Sequence, residues 1–244
     1  MVILSLFDYT GAMVQPWAEA GYTCICVDTQ HSEKLPRHIS GGNIYKVNYD
    51  VYGILRYAHN WPRPDIIFGF PPCTDLAVSG SRWFKQKAAE NPNFQHQAVS
   101  LCRQVEALGE KFGVRWMAEN PVGRLSTLWR KPDHWFHPWQ FTALELDDNY
   151  TKKTGAWTGN GFAMPDPQVH PMVQNAVDSV AAQFGRFVAK PDVLKTNWVK
   201  GHRKFIEKWY PDDRIHKAAP GPDRANFRSA TPLGFAKAVF ACNG

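Results

Sequence analysis

The chain contains no apolar run near the roughly 20 residues that a membrane-spanning helix needs. Its first residues also lack the basic flank and small-residue cleavage site of a secretory leader. Both absences point to a cytoplasmic protein with no membrane partner. Cysteine is sparse, with five among 244 residues: Cys24, Cys26, Cys73, Cys102 and Cys242. An odd number without paired spacing argues against a disulfide framework, so reduced thiols are expected. Cys24 and Cys26 alternate in "YTCICVD", which on a strand puts both on one face. Zinc would need two further ligands nearby, so core filling is expected and no metal. Gly/Ser-rich tracts, acidic tracts and internal repeats are missing as well. With 44% hydrophobic and 20% charged residues, the composition is that of a folded chain. The length suits one main domain, alone or with a smaller lobe attached.

Positive charge is present and unevenly placed. Of 28 Lys and Arg against 22 Asp and Glu, residues 186–228 hold 11 and 5, so the rest of the chain is balanced and the whole surplus of +6 lies in this stretch of the C-terminal third. Trp198, Phe205, Trp209 and Tyr210 are interleaved with these cations. That mixture suits a polyanion with stackable bases. A solvated helix face with its apolar stripe turned inward is the competing reading.

Apolar periodicity gives the coarse architecture. "VILSLF" (2–7), "TCICVD" (23–28), "DIIFGF" (65–70) and "VRWMAEN" (114–120) read as buried strands. Between them, 14–22 with Gly21 past its end, 51–60 and 94–113 read as helices. The last is the firmest, with Ala98, Leu101, Cys102, Val105, Leu108 and Phe112 at steps of three and four. Alternating strands and helices predict a mostly parallel sheet covered on both faces. Beyond about Gly123 the text turns Trp-, Pro- and His-rich and reads as loops. The ending "TPLGFAKAVFACN" reads as a helix capped by Thr231, with Pro232 in its first position.

In such a sheet, ligands bind outside the carboxyl ends of the strands. After the first strand, Gly11 permits close backbone approach, and Thr10 with the following helix start offers donors to an anionic group. After the second, Asp28 stands where a carboxylate accepts ribose hydroxyls. Asp50 in "VNYDVYG" is a candidate for a base amino group. After the third comes Cys73, stiffened by Pro71 and Pro72, and after "VRWMAEN" come Glu119 and Asn120. A thiol and a carboxylate ending two strands of one sheet could converge on a substrate, with the thiol as a strong nucleophile.

The segments "SLFDYTG", "CVD", "NYDV", "GFPPCTDLAVSG" and "AEN", with the terminal helix, occur in the order and spacing of DNA cytosine carbon-5 methyltransferases. In this the chain resembles the compact bacteriophage members of that family over roughly 2–123 and from about 228 onward. The resemblance implies a Rossmann-like methyltransferase fold, with residues 1–150 and the helix 229–244 forming the catalytic and cofactor-binding domain. Residues 151–228 would form a small target-recognition region. It implies S-adenosylmethionine bound by Phe7, Asp8, Tyr9, Thr10, Gly11 and Pro71, its ribose by Asp28 and its adenine by Asp50. Cys73 would add to carbon 6 of a cytosine flipped from the duplex, Glu119 would protonate ring nitrogen 3, and Asn120 would position the Cys73 loop. Ser79 and Arg82 in "TDLAVSGSRWF", with Lys200, Arg203 and Lys204, would contact DNA.

The chain departs from the family pattern in places. Asp8-Tyr9-Thr10 stands where a second glycine is usual, and Pro121 where an aliphatic residue is usual. In place of a Gln-x-Arg-x-Arg segment it offers Lys152 and Lys153, which lack the planar fork of arginine. The short recognition region predicts short or relaxed sequence specificity. Three alternatives stay open. One is a carboxylated analogue of the donor, giving 5-carboxymethylcytosine. Another is a nucleic-acid-binding homologue without catalysis. The third is RNA as substrate. A monomer is expected.

Overall fold

Runs of β-branched and aromatic residues bounded by turns form one seven-stranded sheet. The computed structural model describes residues 1–34, 42–219, 221 and 224–244. The strands are β1 (Val2–Leu6), β2 (Thr23–Val27), β3 (Ile44–Val47), β4 (Ile66–Gly69), β5 (Arg115–Pro121), β6 (His134–Phe136) and β7 (Thr154–Gly159), in the order β3-β2-β1-β4-β5-β7-β6. Neighbours from β3 to β5 are parallel, and β7 runs antiparallel to β5 with Glu119 opposite Ala156. This is the mostly parallel α/β sheet that the alternation predicts, in the Rossmann-like arrangement that the resemblance implies.

Contacts group the chain into two units: Met1–Trp135 with Lys153–Met164 and Asn243–Gly244, and Phe136–Lys152 with Pro165–Cys242. In the first, helices cover both faces of the sheet. On one face Leu4, Leu6, Ile25 and Ile67 pack with Ile54 of α2 (Val51–Arg56) and with Val105 and Leu108 of α4 (Phe94–Phe112). On the other, Trp17 of α1 (Gln15–Glu19) meets Phe68 at 5.2 Å between ring centroids. Glycines set how closely α4 lies on the sheet. A Cβ on Gly69 would sit 2.3 Å from Val105, and one on Gly109 2.1 Å from Trp116. Cys24 and Cys26 are fully buried, as core filling requires, and none of the five cysteines is in a disulfide.

The second unit holds the segments that read as loops. Ala176 and Val180 of α6 (Pro171–Phe184), Val193 of α7 (Lys190–Leu194), and Ile206 of α8 (Lys200–Trp209) with Tyr210 form its own core. Lys200, Arg203 and Lys204 line the exposed side of α8, and Arg203 pairs with Glu207 at 3.3 Å. The interleaved aromatics face inward: Tyr210 is fully buried, Trp209 stacks on His170 at 5.2 Å, and Trp198 and Phe205 pack against the core. The amphipathic-helix reading therefore holds for these rings. The terminal helix α11 (Leu233–Asn243) packs within the second unit, where Phe235 stacks 4.0 Å from Phe136 and 5.2 Å from Phe141. Pro232, not Thr231, stands at the helix entrance, where its carbonyl accepts from Ala236 N–H at 3.0 Å.

Asp148, 7% exposed, caps this helix by accepting from Gly234 N–H at 2.7 Å. Burial, with the charges of Glu145 and Asp147, raises its carboxyl to about 6 against the hydrogen bond's opposing pull. Folding therefore favours the protonated form: the associated stability is full below pH 4 and is lost as pH rises through 6. Asn at this position keeps the acceptor and removes the charge. Asp148→Asn is expected to match the wild type near pH 4 and to exceed it at pH 7.5 by about 2 kcal/mol in denaturant unfolding. Parallel pH profiles for the two proteins would count against this account.

Candidate active site

The chain leaves β1 through Phe7, whose φ of 56° is a costly left-handed conformation for a residue with a side chain. Beyond it Asp8 lies beneath the loop, 4% exposed, accepting from Ser5 Oγ and Gly11 N–H at 2.7 Å each and from Thr10 Oγ1 at 3.3 Å. Thr10 Oγ1 in turn accepts from Ala12 N–H at 3.2 Å. The donors read from the sequence as facing an anionic group are thus engaged within the loop, because a carboxylate at position 8 gathers them. Gly11 adopts φ 77°, which its lack of a side chain permits. Asp8 also bears on the neighbouring thiols. After burial, its charge is the next cause that pushes Cys24 up to about 12 and Cys26 well above its usual range.

Tyr9, 42% exposed, stacks on His31 at 5.5 Å, and Lys46 of β3 lies 5.8 Å from its ring centre. His31 Nε2 is 3.1 Å from the Asp8 carbonyl. At the end of β2, half-buried Asp28 accepts from Gln30 N–H through Oδ1 at 2.8 Å. Asp50 is exposed and caps α2, accepting from Tyr52 N–H at 3.4 Å. Asp28 and Asp50 are thus carboxylates just beyond the carboxyl ends of β2 and β3, while the β1 loop turns its donors inward.

The thiol follows β4, and the carboxylate lies near the carboxyl end of its neighbour β5. In the β4/β5 register Gly69 pairs with Ala118, so Glu119 stands level with Phe70, three residues before Cys73. Glu119 is 9% exposed and Cys73 is half-buried. Asn120, 1% exposed, donates from Nδ2 to the Pro71 carbonyl at 3.0 Å and so ties β5 to the diproline turn that carries Cys73. Cys102 of α4 feels both groups: burial first, then the charges of Cys73 and Glu119, push its thiol up to about 12. Cys24, Cys26 and Cys102 are thereby held as inert thiols, whereas Cys73 is half-buried on its loop.

The loop after Cys73 is stitched to the extension of β5. Cys73 O accepts from Leu76 and Ala77 N–H, Val78 N–H donates to Val122 O at 3.1 Å, and Arg124 N–H to Leu76 O at 2.8 Å. Gly123 makes this approach possible, since a Cβ there would lie 2.1 Å from the Leu76 oxygen. An ion pair between Lys87 and Asp75 braces the loop from α3 (Phe84–Glu90). Ser79 and Arg82 are exposed on the 3-10 turn Val78–Trp83.

Lys152 and Lys153 diverge in environment: Lys152 is 8% exposed, whereas Lys153 is exposed with its ammonium 5.0 Å from the Trp135 ring centre. Lys153 O accepts from Val122 N–H at 3.3 Å, which sets it beside the end of β5. Gly123, Trp83, Trp135 and Lys46 went unremarked in the sequence. The glycine in "NPVGRL" was the one visible signal, a break directly after the Glu-Asn pair. Among the described residues no group of three or more His, Cys, Asp or Glu could hold a metal ion, and no helix is long and apolar enough to cross a membrane.

No protein-family model and no curated protein matches the chain. Among solved structures that match is a chain encoded within an E. coli prophage and provisionally described as a DNA modification methyltransferase. It is 17% identical with a TM-score of 0.40, over 72% of this chain and 54% of that one. This chain therefore spans about half the length of the structure it matches.

Proposed function

We propose that the protein transfers a methyl group from S-adenosylmethionine to carbon 5 of a cytosine extruded from DNA. What supports this reading is that Cys73 follows β4 and Glu119 lies near the end of neighbouring β5, with the diproline turn before Cys73 tied to β5 by the Asn120–Pro71 hydrogen bond. Asp28 and Asp50 hold the sugar and base of the donor, whose contribution when bound is an electrophilic methyl group. Cys73, as thiolate, adds to carbon 6 while Glu119 delivers a proton to ring nitrogen 3, so the electron pair released from the 5,6 double bond is available at carbon 5. Carbon 5 takes the methyl group and loses its proton to solvent. The Cys73–carbon 6 bond then breaks, the double bond re-forms and the nitrogen proton returns. Addition above the ring plane requires an open face, so the base must leave the stack.

Lys46, its ammonium 5.8 Å from the Tyr9 ring centre, favours a second reading in which the donor carries an extra carboxylate. One measurement tests both: mass spectrometry of nucleosides from the DNA of cells expressing the protein. 5-Methylcytosine is the expected product. 5-Carboxymethylcytosine would select the second reading, and unmodified cytosine in cells supplying either donor would defeat both.

A further inference from the structure

The first unit exposes two tryptophans among the described residues, Trp83 at 51% and Trp135 at 42%. Each carries a cation over its ring. Arg82 lies 5.0 Å from the ring centre of Trp83, and Lys153 lies 5.0 Å from that of Trp135. Burying a tryptophan is strongly favourable, so leaving two of them in water within one region costs stability that a binding surface would recover. Trp83 closes the 3-10 turn that follows the Cys73 loop, and Trp135 lies on β6, the terminal strand beyond β7. The backbone connects them laterally: Val78 N–H meets Val122 O, and Val122 N–H meets Lys153 O, with Trp83 five residues beyond Val78 and Trp135 beneath Lys153. Val78, 60% exposed, and Val122, 39% exposed, extend the apolar strip between them.

The carboxylates around this strip are paired or buried. Asp75 is tied to Lys87 and the exposed Asp133 to Arg130 at 2.9 Å, while Glu119 is buried. Arg82, Arg124 and Lys153 are exposed. Flat apolar rings capped by cations, with the neighbouring aspartates held in ion pairs, match a strand of alternating bases and phosphates. A protein partner would be matched by apolar area alone and would not require a cation over each ring.

We infer that Trp83 and Trp135 are stacking platforms for the DNA strand that carries the target base, one on the Cys73 loop and one on β6, with Arg82 and Lys153 pairing its phosphates. The inference rests on the proposed reaction for the identity of the strand, and it assigns that strand its path across the surface. It also gives Lys153 a phosphate-binding role in place of assistance at the base.

The test uses the whole protein and a fluorescently labelled single-stranded cytosine-containing DNA, read by anisotropy across a series of salt concentrations. Trp83→Ala and Trp135→Ala are each expected to weaken binding by about tenfold, with the slope of log affinity against log salt unchanged, because a stacking contact releases no counterion. Trp83→Phe and Trp135→Phe keep a ring and recover most of the affinity, which separates stacking from any disturbance of folding. Arg82→Ala is expected to lower the salt slope by about one. Wild-type protein that binds and modifies DNA, with both alanine variants binding equally well, overturns the platforms and leaves the reaction standing. Wild-type protein that binds DNA through these rings without modifying it supports the platforms and defeats the reaction. Losses confined to an RNA strand of the same sequence overturn the assignment to DNA.

Discussion

Cys73→Ala is expected to abolish base modification, by at least about 10⁴-fold, while leaving DNA binding within about twofold of the wild type. The size of the loss follows from what the thiol does: without covalent addition at carbon 6, carbon 5 of cytosine is too poor a nucleophile to take an alkyl group, and no neighbouring group substitutes. The other thiols make the prediction specific. Cys24 and Cys102 are buried with their thiols pushed up to about 12, Cys26 is raised well above its usual range by burial and by Asp8, and Cys242 is exposed on α11 in the second unit. Cys102→Ala therefore serves as the paired variant. It removes a core side chain and lowers stability by about 1 kcal/mol but should retain turnover. Single-turnover transfer from labelled donor to DNA measures both. Activity surviving in Cys73→Ala and lost in Cys102→Ala would transfer the nucleophile to the helix, and activity surviving in both would remove covalent addition from the mechanism.

How far these features could be read in advance depended on where the physical signal was carried. β1, β2, β4 and β5 were legible because parallel strands buried on both faces are continuous apolar runs. β3 was not, because "IYKV" lies at the sheet edge with mixed exposure, and only Val47 is buried. β7 was hidden by Gly155 and Gly159, which weaken strand propensity but are demanded by Pro132 and Trp116: a Cβ on Gly159 would lie 2.2 Å from Trp116 Nε1. α6 begins without a Ser, Thr, Asp or Asn cap; His170 serves instead, its Nδ1 accepting from Met172 N–H at 3.3 Å. In the site, Cys73, Glu119 and Asn120 were legible as reactive types at strand ends. Tertiary contacts were not. Asp8 reads as a departure from a glycine-rich loop, and only the fold reveals it as the residue that gathers Ser5, Thr10 and Gly11. Asp50 reads as a ligand to a base, yet its side chain already has a structural task as a helix cap.

The backbone bridge beside the site left the weakest trace in the sequence, and it carries the second large effect. Gly123→Ala is expected to reduce turnover roughly 10²-fold while DNA affinity changes little. The added methyl group would lie 2.1 Å from the Leu76 oxygen, 2.8 Å from its carbonyl carbon and 2.9 Å from Ala77 Cα. All three are backbone atoms, so no side chain can rotate away and the two segments must part. Parting them breaks the Val78–Val122 and Arg124–Leu76 hydrogen bonds, each worth about 1 kcal/mol. That is small against a cooperative fold, and the variant should remain folded with a modestly lowered melting temperature. The consequence for chemistry is larger because Leu76 and Ala77 donate back to the Cys73 carbonyl, so displacing them displaces the thiol relative to Glu119. A shift near 1 Å at a nucleophile costs about 10²-fold. The expected signature is a fall in the single-turnover rate with an unchanged dissociation constant. Unchanged turnover in a protein whose stability has fallen would mean that the bridge holds the fold together and has no part in aiming Cys73. A fall in both affinity and rate would instead place Val78 and Val122 in direct contact with the DNA.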